Sequence, residues 1–303
     1  MMLKARVLTS VILLPVFISA IVFLPAFYFF ALLGLFIAIG AWEWSLFVDF
    51  KHLLNLRGQT SKSLVQKIIF RLNLTGLISR QLSSSDLIFR FTYVAVVVTG
   101  LFFVTLFPVG PLLFFSVLFW LWAAFAILAH EKDRFILGFQ LPLIRALAGF
   151  FILTTCWASI LFLKNLPLGS AWLVFILMVI VAADVGAYFF GSRFGKTPLT
   201  HRVSPNKTRE GFLAGMISAG SVAFLGGFFF HLSMMQHLYL ISLAFMSALF
   251  SVLGDLTVSL FKRLSGVKDA GKIFPGHGGV LDRLDSIAAA VVIFALGIYL
   301  CNL

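Results

Sequence analysis

Charged residues are scarce in this chain of 303 residues: Asp, Glu, Lys and Arg make up 11% of it, whereas a soluble domain carries about 25%. Hydrophobic residues make up 61%, against about 45–50% in a soluble domain, and the mean hydropathy is +1.07. A soluble globule could not cover this much apolar surface, and a disordered chain would not contain it. The composition therefore excludes both classes and predicts an integral membrane protein.

Cysteines and acidic residues are also few. Cys156 and Cys301 both lie in apolar runs, which excludes a disulfide framework and a cysteine-based zinc site. Lys and Arg number 23 against 11 Asp and Glu, a formal net charge of +12. In a membrane protein such an excess reflects cytoplasmic loops rather than a nucleic-acid partner. We therefore expect no nucleic acid, and some contact with anionic lipid or phosphate at most.

Long apolar runs predict an all-α polytopic fold with nine transmembrane helices, because a spanning helix needs about 20 mainly apolar residues. The first run follows the basic start MMLKARVLTS. We expect it to be a retained helix rather than a signal peptide, because the cleavage pattern is weak and more hydrophobic segments follow. The predicted spans are 7–25, 27–48, 91–107, 111–130, 146–163, 171–191, 211–230, 238–261 and 285–302.

Basic residues predict the orientation of these spans. If the N-terminus lies in the cytoplasm, every Lys and Arg except Lys164 falls in a cytoplasmic segment. This asymmetry predicts a cytoplasmic N-terminus and an outside C-terminus. In the longest loop, 49–90, apolar residues and cations alternate at roughly helical spacing over 62–72. That segment is either an amphipathic helix on the inner leaflet or a solvated connector.

The chain is predicted to form a single membrane-embedded domain, 1–303, with unevenly distributed polarity. Residues 1–165 have the character of scaffold helices, whereas 171–303 form a catalytic half with cytoplasmic loops 192–210 and 262–284. Acidic residues in spans are costly, so each is a functional hypothesis. Glu43 stands between two tryptophans, which favours a structural anchor. Asp184 and Asp255 lie towards cytoplasmic helix ends and are expected to face one inner cavity.

The first of these loops, with the sequence SRFGKTPLTHRVSPNKTREG over 192–211, combines cations with Gly, Ser, Thr and Pro. Such a composition holds phosphates through side-chain charge and exposed amides. Ser204, Lys207 and Thr208 are therefore candidate contacts to a substrate. An ordinary basic loop that ends in a helix cap explains the same residues equally well.

Carboxylates, cations and glycines concentrate between Asp255 and Asp285. Asp255, Ser259 and Lys262 are spaced by four and three residues, so they share a helix face, as do Asp282 and Asp285. Carboxylates hold Mg²⁺, cations offset phosphate charge in the transition state, and glycines allow a close backbone approach. The pattern is typical of phosphoryl or nucleotidyl transfer. Topology alone explains the cations but not four acids and the run PGHGG.

At this point the residues resemble a known family. The run from Ser259 to Asp285, S-L-F-K-R-x4-K-D-A-G-x2-F-P-G-H-G-G-V-L-D-R-L-D, resembles the signature of the phosphatidate cytidylyltransferases, or CDP-diacylglycerol synthases. GDL at 254–256, SPNKT at 204–208 and ADVGAY at 183–188 resemble the other blocks of that family in the same order. The start MLKARVLTSVILLP and the AWEW segment also fit. The resemblance spans most of the chain, except 49–90.

The resemblance implies synthesis of CDP-diacylglycerol and pyrophosphate from CTP and phosphatidic acid, with Mg²⁺ and a monovalent cation such as K⁺. It also implies a homodimer. The absence of a targeting segment favours a bacterial inner membrane, and the cytoplasmic loops predict an active site that faces the cytoplasm. Asp255 and Asp282 match the metal-binding aspartates. With the residue pattern, it gives as candidate catalytic residues Lys262, Arg263, Lys268, His277 and Asp285. The candidate substrate-binding residues are Ser204, Lys207, Thr208, Ser259, Gly278, Gly279, Arg283 and Asp184.

Two positions depart from the family pattern, and two alternative functions stay open. Val258 stands where the family usually has Glu, and Arg209 stands where Trp is usual. A catalytically impaired family member is therefore one alternative. The other is a membrane transporter or lipid flippase that uses Asp184 and Asp255 as an ion relay. The role of His277 is also open, since acid/base chemistry, phosphate binding and turn stabilisation all suit it.

Overall fold

A computed structural model describes residues 14–48, 84–132, 134, 138–267, 270–271 and 278–301. Over these residues the fold is all-helical, with isolated β-bridge pairing and no strand. Helices α2 to α9 are each long and apolar enough to cross a membrane, which confirms the predicted all-α polytopic fold. The helices are α1 (Leu14–Phe23), α2 (Ala26–Trp44), α3 (Ser84–Val104), α4 (Val109–Glu131), α5 (Pro142–Lys164), α6 (Gly169–Phe194), α7 (Arg209–Phe229), α8 (Met234–Leu264) and α9 (Leu281–Cys301).

The helix α8 is longer than the sequence predicted, 31 residues instead of the apolar segment 238–261. It begins early because Ser233 and Gln236 form a capping box at its start. It then continues beyond the apolar stretch, so that Lys262 and Arg263 lie in its last turn. The first predicted span, 7–25, is described only from residue 14, and the predicted amphipathic segment at 62–72 lies outside the described residues.

The helix α9 lies at the centre of the bundle, in contact with α2, α4, α5, α6 and α8. Small residues allow close packing of the pairs α6–α7 and α8–α9. A methyl group on Gly215 would lie 2.7 Å from the carbonyl oxygen of Ala183, and one on Gly254 would collide with the carbonyl oxygen of Asp285. Such contacts are typical of membrane helices that pack through small side chains. The contact at Gly254 brings Asp255 on α8 close to Asp285 on α9.

Arg145 connects several elements at one end of the bundle. Its guanidinium donates from Nε to the carbonyl oxygen of Phe139, in the loop before α5, at 2.8 Å. Its Nη1 donates to the carbonyl oxygen of Phe47 and to Oγ of Ser265, both at 3.2 Å. The end of α2, the start of α5 and the end of α8 therefore lie together. This is the end at which both predicted functional loops meet.

Candidate active site

Lys207, from the loop before α7, reaches Asp255 on α8. Its Nζ lies 2.5 Å from Oδ2 of Asp255, and the two side chains are 29% and 33% exposed. Ser259, one turn further along α8, donates from Oγ to Oδ1 of the same aspartate at 3.2 Å. The two motifs that the sequence presents separately therefore form one site, and the predicted shared face of Asp255 and Ser259 is confirmed.

Lys262 and Asp282 form a second ion pair, between the end of α8 and the first turn of α9. The distance from Nζ to Oδ1 is 2.9 Å, and the side chains are only 13% and 11% exposed. The other carboxylate oxygen of Asp282 accepts hydrogen bonds from the amides of Gly279 at 2.9 Å and Ala270 at 3.3 Å. Gly278 adopts φ +82°, a conformation that favours glycine, and a methyl group there would collide with Asp282.

Two further aspartates belong to the same electrostatic network. Asp285 is buried, and its Oδ1 accepts a hydrogen bond from the amide of Ser286 at 2.7 Å. Electrostatic interactions connect Asp285 with Asp255, Lys262 and Lys207. Asp184 on α6 interacts in the same way with Lys207, Asp255 and Arg283. Carboxylates from α6, α8 and α9 therefore form one charged cluster with Lys207, Lys262 and Arg283.

Glu131, at the end of α4, holds the loop that carries Lys207. Its carboxylate accepts hydrogen bonds from three successive amides, those of His201, Arg202 and Val203, at 2.8, 2.9 and 3.0 Å. These amides are thus occupied, although the sequence suggested that loop amides are exposed for phosphate. Sequence reasoning missed Glu131, because nothing in its neighbourhood indicates a partner in a distant loop.

The rest of this loop is shaped by an isolated bridge between Pro198 and Thr208. Oγ1 of Thr208 accepts a hydrogen bond from the amide of Gly211 at 3.2 Å, so Thr208 is the N-cap of α7, the role that the alternative interpretation gave it. The carbonyl oxygen of Ser204 accepts a hydrogen bond from the amide of Lys207 at 3.2 Å. A substrate contact by Ser204 or Thr208 stays a prediction.

The remaining candidates lie around the two ion pairs or outside the described residues. Arg263 is exposed and donates from Nε to the carbonyl oxygen of Val203 at 3.4 Å, which connects α8 with the Lys207 loop. Arg283 is exposed near Asp184. Lys268 and His277 lie outside the described residues, so their predicted roles are untested.

An apolar cavity of about 350 Å³ opens beside the site. Side chains from α1, α2, α5, α6 and α9 line it, and most are aliphatic or aromatic. Its polar lining comes from the site itself, namely Asp184, Asp282, Arg283 and Ser286. An amphipathic ligand would therefore find charged groups at one part of the cavity and hydrocarbon walls elsewhere.

The donors in the site fit Mg²⁺. Among the residues that the structure describes, no three His, Cys, Asp or Glu side chains form a metal cage. Mg²⁺ needs no such cage, since it is usually bound by one or two carboxylates, waters and substrate phosphates. Asp255 and Asp282 supply hard oxygen donors of this kind. Each already interacts with a lysine, a residue type that also binds phosphate.

Comparison with known proteins agrees with this chemistry. The chain matches the cytidylyltransferase family over residues 4–301. It is 33% identical to a phosphatidate cytidylyltransferase of Haemophilus influenzae over 303 residues, which covers 97% of this chain and 98% of that protein. A phosphatidate cytidylyltransferase of Pseudomonas aeruginosa is 30% identical over 297 residues, covering 97% and 96%. One from Helicobacter pylori is 49% identical over 121 residues, covering 39% and 44%.

Proposed function

This chain belongs to the cytidylyltransferase family, and we propose that it transfers the cytidylyl group of CTP to phosphatidic acid, giving CDP-diacylglycerol and pyrophosphate. One observation carries the proposal. The ion pairs Lys207–Asp255 and Lys262–Asp282 lie together where an apolar cavity acquires a charged lining. A reaction between a water-soluble nucleotide and a lipid phosphate requires this combination.

The cavity supports a lipid as the second substrate. Its walls, from residues such as Phe36, Leu177 and Ile287, suit acyl chains, while Arg283 is placed to interact with a lipid phosphate. Burial of acyl chains there is favourable by roughly 0.8 kcal/mol for each CH₂ group. CTP, which carries several negative charges, would approach the opposite, loop-bearing part of the site, where Lys207 lies.

The chemistry is direct substitution at the α-phosphorus of CTP. A phosphate oxygen of phosphatidic acid forms a bond to that phosphorus, and the bond to the β-phosphate oxygen breaks, releasing pyrophosphate. Because a phosphate monoester is already anionic near neutral pH, a strong general base is not needed. Lys207 and Lys262 reduce the repulsion between two anions and orient them. Mg²⁺ held by Asp255 and Asp282, joined by a monovalent cation such as K⁺, would stabilise the leaving pyrophosphate.

We also propose that the protein is a homodimer in a bacterial inner membrane, with its active site on the cytoplasmic side. The distribution of cations supports the orientation, since Lys164 alone among 23 Lys and Arg falls in a predicted outside segment. Bacterial relatives of nearly equal length support the membrane assignment. A homodimer predicts two copies of the chain in each nanodisc, and a mass measurement of the protein in nanodiscs tests this.

The two departures from the family pattern differ in position. Val258 is completely buried in the hydrophobic core, whereas Arg209 is exposed at the first position of α7. A substitution at the buried position changes core packing beside the site, so it bears on efficiency more directly than the exposed arginine does. If Val258 impairs the enzyme, Val258→Glu restores activity only when the new buried carboxylate finds a cation or hydrogen-bond donor, because an unpaired buried charge is strongly destabilising.

Transport by an ion relay is the other alternative. A relay needs ionisable groups distributed across the membrane, but Asp184 and Asp255 lie in the C-terminal halves of α6 and α8, close to the loop residue Lys207. Asp255, which such a relay would use, is paired with Lys207. The geometry therefore favours a reaction at one membrane face.

The test uses detergent-purified protein with cytidine-labelled CTP, phosphatidic acid and Mg²⁺. We expect label to become lipid-extractable, and chelation of divalent ions to stop this. If the wild type is inactive and Val258→Glu is active, the chain is an impaired member of the family. If neither the wild type nor Val258→Glu labels lipid, and the protein in liposomes moves lipid or ions, the enzyme proposal is wrong and transport replaces it.

A further inference from the structure

Glu43, from α2, reaches the first turn of the helix that carries Asp282. Its side chain is buried, with 3% of the residue exposed. Oε2 accepts a hydrogen bond from the amide of Leu281 at 2.7 Å, a partner 238 positions away in the sequence. The amides in the first turn of a helix have no partner within the helix, and negative charge is favourable there. Glu43, a residue of α2, therefore caps the first turn of α9.

The same carboxylate fits between two glycine segments. A methyl group on either Gly271 or Gly279 would collide with the carboxylate of Glu43, so both backbones approach it as closely as glycine allows. Oε1 of Glu43 is buried and accepts no hydrogen bond from the described residues. The carboxyl group is thus enclosed by the backbone of both segments, and its position leaves little freedom to either of them.

Asp282 is held by the same turn from the other side. Its Oδ2 accepts hydrogen bonds from the amides of Gly279 and Ala270. Glu43 takes the amide of Leu281, two positions after Gly279. The two carboxylates therefore share the free amides of a single turn, and a shift of this turn would move the Asp282 carboxylate.

We propose that Glu43 is a positioning residue for the reaction. By binding the amide of Leu281 and filling the space beside Gly279, it holds the turn 279–282 in place and so orients the carboxylate of Asp282. The proposal rests on the proposed function, because it gives Asp282 a role in catalysis. Glu43 itself contacts neither substrate in this account. Partners of metal-binding carboxylates are worth about 10–100-fold in metal affinity or activity, which sets the expected effect.

Two substitutions at Glu43 separate hydrogen bonding from charge. Glu43→Gln keeps a carbonyl oxygen for the amide of Leu281, whereas Glu43→Ala removes the acceptor and leaves a cavity. We expect the alanine variant to lower kcat and to raise the half-saturating Mg²⁺ concentration, each about tenfold or more. The glutamine variant should retain most activity. His237→Ala removes a buried side chain that contacts the carbonyl oxygen of Phe224, and serves as a control for lost stability alone.

A double-mutant cycle tests the contact with Gly279. In the wild type, Gly279→Ala places a methyl group against the carboxylate, so we expect a loss of activity. In the Glu43→Ala background the space beside Gly279 is empty, so Gly279→Ala should cause little further loss of activity. Residues in contact show such non-additivity, whereas distant ones do not.

Hydrogen exchange without substrate provides a readout that does not depend on activity. In Glu43→Ala the amides of 279–282 should exchange faster, by about tenfold or more at Leu281, while α8 is unchanged; His237→Ala should leave 279–282 as in the wild type. Unchanged exchange over 279–282 in Glu43→Ala overturns the proposal, whatever the enzyme activity. Additive effects in the cycle, or a kcat in Glu43→Ala equal to that of His237→Ala, also overturn it. If the wild type makes no CDP-diacylglycerol, the proposed function fails separately, and faster exchange still supports the contact.

Discussion

Lys207 and Asp255 form an ion pair of 2.5 Å between the loop that precedes α7 and the interior of α8. Each residue belongs to a different sequence block, Lys207 to the loop 192–210 and Asp255 to the run that ends at Asp285. The contact between Lys207 and Asp255 joins the two motifs in one site. A second pair, Lys262–Asp282, repeats the arrangement between α8 and α9.

Neutralising either site aspartate should remove activity. Each of the variants Asp255→Asn and Asp282→Asn lacks the negative charge that pairs with a lysine and that would bind Mg²⁺. We therefore expect kcat to fall by about 100-fold or more. Asp86→Asn, in the first turn of α3, is the matched control and should behave as the wild type. Initial rates of lipid labelling measure this, and a loss below about threefold in both site variants would contradict it.

The two ion pairs should differ in their contribution to stability. Removing one partner of a buried pair costs about 3–5 kcal/mol, whereas exposed pairs contribute about 0–1 kcal/mol. Lys262→Met leaves the largely buried Asp282 unpaired, while Lys207→Met affects a pair that is about one third exposed. Thermal unfolding in detergent should therefore show a clear loss for Lys262→Met alone, although both variants lose activity. Equal melting temperatures would contradict this contrast.

Glu131 should control affinity for the nucleotide through the Lys207 loop. Its carboxylate accepts three amides, and Glu131→Gln leaves a single acceptor oxygen. We expect the KM for CTP to rise about tenfold, because each hydrogen bond to a charged group is worth about 1.5–3 kcal/mol. His130→Gln, the adjacent position, is the control. A KM that changes in neither variant would show that the loop does not need this contact.

Filling the cavity should weaken the lipid substrate selectively. Leu177→Trp adds bulk to the cavity wall, whereas Leu213→Trp changes an exposed side chain of α7. We expect the KM for long-chain phosphatidic acid to rise in the first variant only, with the KM for CTP unchanged in both. Overpacking costs about 1–3 kcal/mol, so melting temperatures accompany the assay. An unaffected lipid KM in a folded Leu177→Trp protein would argue that the lipid binds elsewhere.

Local sequence patterns were sufficient to predict the helices and the two loops, 192–210 and 262–284, that contribute residues to the site. The apolar runs gave all eight long helices because every backbone group must be satisfied within lipid, which leaves helix as the default. The spacing of Asp255, Ser259 and Lys262 gave their shared face correctly. End positions were less accurate, since the capping box at Ser233 begins α8 before its apolar core.

Long-range partners could not be predicted from local patterns. The two tryptophans that flank Glu43 indicate an anchor at the membrane interface, and nothing near it in the sequence indicates its partner, the amide of Leu281. Glu131 likewise binds amides of a loop about 70 positions away. A carboxylate that caps a distant helix or loop leaves no periodic signal, because its spacing to the partner is set by the packing of the whole bundle.

The most direct test follows two labels in one CTP molecule, one on the α-phosphate and one on the γ-phosphate, with phosphatidic acid present. The account predicts that the α-label enters lipid and that the γ-label appears in pyrophosphate in equal amount, with neither event in Asp255→Asn or Asp282→Asn. Transfer of the γ-label to lipid would mean a kinase, and a lipid fraction without either label would contradict the account.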